Sequence, residues 1–118
     1  MNTVPLRATA NQTVQAVLGG QNCSLRVYTR QSEANSMIGV NGAALFVDLA
    51  VNEVAVVSGI IAREGTLLLR YPRLGFVGDL LFVDMQGAAD PQWTGLGERW
   101  RLVWLSADEA QAYEEGTL

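Results

Sequence analysis

The chain has 118 residues, 49% of them apolar and 17% charged, with a net charge of −4 and a pI near 4.6. This mix is that of a globular chain able to bury one core, and its acidic balance argues against a nucleic-acid backbone as the main partner. With no histidine and a single cysteine, it has no imidazole base, no His-ligated zinc, no Ser-His-Asp triad and no internal disulfide.

In chain order, the start MNTVPLRAT lacks the charged lead and apolar run of a signal peptide. Val4-Pro5-Leu6 reads as a short extended piece at a sheet edge, where a proline is tolerated. Residues 12–18 alternate, with Val14, Ala16 and Leu18 on one side. Gly19-Gly20 follows, and then Cys23, Leu25 and Val27 alternate with Ser24, Arg26 and Tyr28, which predicts a β-hairpin. Cys23 falls on the apolar side, as a small core residue with no histidine to activate it. Residues 31–42 are polar and end in Asn-Gly, so a loop is expected, with Met37-Ile38 either tucked onto the core or left as a small anchor.

Residues 44–51 and 54–61 flank Asn52-Glu53. Leu45, Val47, Leu49 and Val51 share a face of the first run. The second, VAVVSGII, is apolar on both faces and reads as a central, doubly covered strand, with Gly59 marking a bulge or a close backbone approach. The apolar region 43–62 is interrupted by Asp48, Asn52 and Glu53, so no bilayer span is expected; the reading is a soluble protein made inside the cell. Arg63-Glu64-Gly65 is a turn and TLLLRY (66–71) is expected to be extended. Residues 80–83 and 99–105 are further strands, joined by a long glycine-punctuated loop. Ser106-Ala-Asp-Glu109 matches a capping box and predicts a helix of about two turns, which either docks through Ala110 and Tyr113 or frays.

Six or seven short strands joined by Gly/Asn turns, with no amphipathic helix between them, predict an all-β fold. The expectation is a small single-domain sandwich or partly open barrel of mostly antiparallel strands with a short C-terminal helix. One domain would span 1–118, with its core in 3–105 and an acidic tail from 106.

Candidate sites are few. Asp79, Asp84 and Asp90 lie near one another, but EF-hand spacing is absent and a glycosidase pair needs a geometry that spacing does not supply. Asp79 and Asp90 are expected to accept local backbone hydrogen bonds in turns. Trp100 and Trp104 share a strand face with Leu102, a core or interface pattern. GFVGD has no phosphate-loop spacing. No catalytic residue, cofactor or metal is therefore expected. All eight basic residues are arginine, the cation that protein interfaces enrich, although a GC-rich coding sequence gives the same bias. The loop 85–97 is longer than a minimal hairpin needs and carries Trp93 and Leu96 between glycines, where aromatic anchors of interfaces commonly sit, unless Trp93 folds back over the open end of the core. Trp93, Leu96, Phe76, Tyr71 and Arg73 are the candidate interface residues.

Asn11-Gln12-Thr13, Leu18-Gly-Gly, LGFVGDLLFVD, Asp90-Pro91, Leu96-Gly97 and Arg101-Leu-Val-Trp-Leu105, taken in this order and spacing, resemble the small baseplate plug family of contractile-tailed phages. The likeness covers residues 3–105; the segment 31–42 and the tail after Leu105 fall outside the pattern. It implies a structural virion protein without catalytic residues, a plug or hub-associated adaptor in the tail baseplate. The implied partners are the hub, spike, tail tube or tube initiator, met in several copies, with neither nucleic acid nor membrane. The alternative is an intracellular β-sandwich module that binds a ligand or carbohydrate through its tryptophan segment.

Overall fold

The computed structural model describes residues 2–31, 43–69 and 76–116. The expected loop through Met37-Ile38, and Tyr71 to Gly75, lie outside the described residues. Among the described residues, seven strands form two antiparallel sheets. β1 (Asn2–Val4), β7 (Trp100–Leu105) and β6 (Asp79–Asp84) make a three-stranded sheet in that order, and β2 (Asn11–Leu18), β3 (Gln21–Gln31), β4 (Ala43–Val51) and β5 (Val54–Ile61) make a four-stranded one. The sheets are unclosed and pack face to face, so the fold is the all-β sandwich that the strand spacing predicts.

The predicted hairpin is β2–β3. Leu18 pairs with Gln21, which leaves Gly19 and Gly20 as a two-residue turn with φ of +59° and +77°. This mirror-type turn suits the right-handed twist of the strands and favours glycine at both positions. The β4–β5 turn has the same geometry at Asn52 and Glu53, with φ of +50° and +67°.

Alternation builds the core. Leu25, Val27, Leu45, Val47 and Leu49 of the larger sheet meet Val4, Leu80, Phe82, Trp100, Leu102 and Trp104 of the smaller one in one buried cluster, and Cys23 joins it as expected. Burial pushes the Cys23 thiol up from its ordinary value. Each large side chain so buried contributes roughly 1.5–3 kcal/mol.

Two expectations need correcting. The run VAVVSGII forms β5, but β5 is an edge strand with Val54 67% exposed. Its pairing with β4 slips twice, once opposite Asp48 and once between Leu49 and Ala50. The first slip is the bulge foreseen at Gly59: there φ is +68° and the N–H donates to Asp48 Oδ1 at 2.7 Å. Bulges are a known way to blunt an exposed edge, and that suits an apolar run beyond which no strand lies among the described residues. The described part of TLLLRY is not a strand either. Leu67 makes a single bridge to Leu81, and Leu67, Leu68 and Leu69 are all buried, so tertiary packing holds this piece.

The C-terminal helix α1 (Ala107–Glu114) begins with the predicted capping box: the Glu109 N–H donates to the Ser106 hydroxyl, and the Ser106 N–H to the Glu109 carboxylate. That last bond, from the Ser106 backbone, is the largest influence holding the Glu109 carboxyl below its ordinary value. Of the two expected behaviours the helix docks. Ala110 and Tyr113 pack on Leu67, Leu81, Val103 and Leu105, on the outer face of the three-stranded sheet, and the Tyr113 hydroxyl donates to the Gly65 carbonyl.

Candidate functional site

The long loop 85–99 leaves β6 and returns into β7. Its two ends face each other because Asp84 pairs with Trp100. Asp84 is 6% exposed and closes the loop from inside. Its Oδ1 accepts from the Gln86 N–H and from Arg99 Nε, and its Oδ2 from the Ala89 N–H and from Arg99 Nη2, all four at 2.9 Å. This two-pronged guanidinium–carboxylate geometry is the strong form of the contact. The guanidinium, with help from the two backbone donors, holds the Asp84 carboxyl well below the usual carboxylate range. Arg99 also lies over the Trp100 ring, 4.4 Å from its centroid, and Trp100 Nε1 donates to the Ala89 carbonyl at 3.0 Å.

The rest of the loop is tied with equal care. Asp90 accepts from the Glu64 N–H at 3.1 Å, and Asp79 accepts from the N–H groups of Leu69 and Leu80 at 2.9 and 2.7 Å. Both aspartates accept from backbone as expected, but apart from the Asp79–Leu80 contact the bonds are not local: Glu64 is 26 residues from Asp90 and Leu69 is 10 from Asp79. A 3-10 helix over Trp93–Gly95 turns the tip. The chain then leaves extended at Leu96, which bridges to Trp100. At Gly97 φ is +84°, and a β-carbon there would meet the Leu6 carbonyl oxygen at 2.5 Å. The loop therefore presses against the lead-in after β1.

This architecture separates the sequence candidates. Leu96 is 2% exposed and Phe76 4%; both belong to the core cluster, so neither offers a free surface. Tyr71 and Arg73 lie outside the described residues. Trp93 stands at the tip, 36% exposed, while Met85 at the loop's start is 57% exposed. The pair that fixes the loop, Asp84 and Arg99, was not singled out for this role from sequence. The available signal was an acid and a base at the two ends of one inter-strand loop.

Chemistry at this site is poor. Among the described residues, no group of three or more His, Cys, Asp or Glu is placed to hold a metal ion. The buried carboxylates are occupied by backbone donors and by Arg99. An open groove of about 580 Å³ beside the β2–β3 and β4–β5 turns has a mixed lining, polar at Gln15, Asn22, Ser24, Asn52 and Glu53 and apolar at Ala16, Val17 and Cys23. Among the described residues, no helix is long and apolar enough to cross a membrane.

The fold and this loop define a small β-sandwich module whose buried aspartates, Asp79 and Asp84, hold backbone and Arg99 in place. A family model described as the cyanophage baseplate Pam3 plug gp18 matches residues 1–108, and the chain belongs to that family of phage baseplate plugs. The match supports a structural role in the tail baseplate, in contact with other baseplate proteins. No curated protein matches the chain.

Proposed function

We propose that this chain is a non-enzymatic virion protein, a plug or hub-associated adaptor of a contractile phage tail. It is made in the host cytoplasm and acts by protein–protein contact where tube, hub and spike meet, sealing the junction or matching its symmetry. The family match supports the baseplate role, and one observation supports the mode of action: a hydrogen-bonded, pre-shaped loop holds Trp93 at its tip. A side chain offered on a fixed support loses little freedom on docking, and one aromatic anchor can contribute about 2 kcal/mol or more to an interface.

The test is Trp93→Ser. Because Trp93 is partly exposed and its neighbour Leu96 is left in place, the isolated variant should melt within a few degrees of the native chain, yet be missing from assembled baseplates. Normal incorporation of a folded variant would remove Trp93 from the docking surface.

A further inference from the structure

One outer face of the sandwich carries an arginine pair, and the helix on the other carries an acidic stripe, beside which Arg101 of β7 is also exposed. On the four-stranded sheet, Arg26, Tyr28 and Arg30 of β3 lie opposite Asp48, Phe46 and Ala44 of β4. Tyr28 and Phe46 stack with centroids 6.0 Å apart. The Arg26 guanidinium sits 4.3 Å from the Tyr28 centroid, and that of Arg30 lies 5.4 Å from Tyr28 and 5.7 Å from Phe46. Asp48 answers only part of this charge: its Oδ1 accepts from Gly59 and Tyr28, and its Oδ2 is 3.9 Å from Arg26. Two arginines thus stand against one carboxylate on this face of a chain whose net charge is −4.

The other outer face is covered by α1, which has no basic residue. Asp108, Gln111 and Glu115 fall on one helical stripe with Glu114 beside it, and all four are exposed. Helical rise puts Asp108 and Glu115 about 10 Å apart along the axis. Strand rise puts Arg26 and Arg30 about 13 Å apart, and long arginine side chains span the difference. The Arg26 edge is partly used, by a 3.5 Å contact from Nε to Asn11 Oδ1 and by Asp48. A guanidinium resting on a ring can still offer N–H groups of its edge to a carboxylate.

We infer that the Arg26–Arg30 face of β3 receives the acidic stripe of α1 from a second copy of this chain. Because the two patches differ and lie on opposite outer faces, the contact is head-to-tail, not two-fold. Exposed ion pairs are individually weak and screened by salt, so the association is concentration-dependent and fades as ionic strength rises.

Sedimentation velocity on the purified full chain tests this. Native protein should associate in 50 mM NaCl and become at least several-fold weaker in 500 mM. Arg30→Glu should be monomeric. So should Glu114→Arg/Glu115→Arg, which places cations where a helix C-terminus favours them and so preserves α1. An equimolar mixture of the two variants should associate again, because each supplies the patch the other needs. Thermal melting confirms that each variant is folded. A native chain monomeric at low salt, association indifferent to Arg30→Glu, or a mixture that stays monomeric overturns the inference. A monomeric chain whose Arg30→Glu variant is missing from baseplates overturns it too, and assigns the arginine face to another baseplate protein. The readout needs no phage, so it stands apart from the Trp93 test.

Discussion

Gly78 and Gly20 both have positive φ, +96° and +77°, yet their surroundings differ completely. A β-carbon at Gly20 meets nothing within 4 Å, whereas one at Gly78 would lie 2.3 Å from the Leu105 carbonyl oxygen and 2.6 Å from Trp104 Nε1. Neither neighbour can yield easily. Leu105 is paired with Asp79 in the β6–β7 ladder, and the Trp104 indole is buried and donates to the Val77 carbonyl at 3.0 Å. Gly20→Ala should therefore cost only the backbone strain of an L-residue there, about 1–2 kcal/mol. Gly78→Ala adds overpacking of about 1–3 kcal/mol to strain of that size, for a total of about 2–5 kcal/mol. In a chain this long each kcal/mol moves the midpoint on the order of 4 °C. Urea unfolding of the two variants, compared at a shared slope, is the assay. Equal losses, or a Gly78→Ala variant within about 1 kcal/mol of the native chain, would refute the packing argument.

Ending the chain after Ser106 strips Ala110 and Tyr113 from Leu67, Leu81, Val103 and Leu105, and should lower Tm by about 5 °C or more while leaving β-sheet circular dichroism intact; an unchanged Tm would show that the helix contributes nothing. The Asp84 carboxyl is depressed by Arg99, so its contribution to stability is present above the ordinary carboxylate pKa of about 4 and is lost as pH falls further, toward the folded-state value. Stability of the native chain should decline with acid below about pH 4, and Asp84→Asn should be less stable at neutral pH with that stretch of decline reduced; an identical acid profile in the variant would show that other groups govern it.

The fold was legible where a feature is local. Alternation in β2 and β3, a two-glycine turn, the Ser106–Glu109 capping box and the Gly59 bulge all follow from neighbours in sequence, and each is present. What failed was position within a sheet. VAVVSGII has the apolar content of a central strand, but composition does not say whether another strand lies beyond it. The bulge that Gly59 signals is fastened across the sheet, by its N–H to Asp48 of the neighbouring strand.

The candidate residues divide for a related reason, and the division sharpens the functional argument. Trp93 and Leu96 looked equivalent, two large apolar residues among loop glycines. Their fates diverge because Leu96 leaves the 3-10 turn extended and bridges Trp100, which sends the leucine inward. That geometry depends on Asp84 and Arg99, fifteen positions apart in sequence, meeting only once β6 and β7 are in register. A buried Leu96 makes the loop part of the core of the chain by itself. Trp93 is thereby held in place before any encounter. If the loop is the docking element, loosening its support should weaken docking even with Trp93 untouched. Arg99→Gln, which keeps a donor but loses the charge and the fork, should then reduce baseplate incorporation while Trp93 remains in the chain. A folded Arg99→Gln variant that incorporates as the native chain does would show that the support of the loop is irrelevant to its docking.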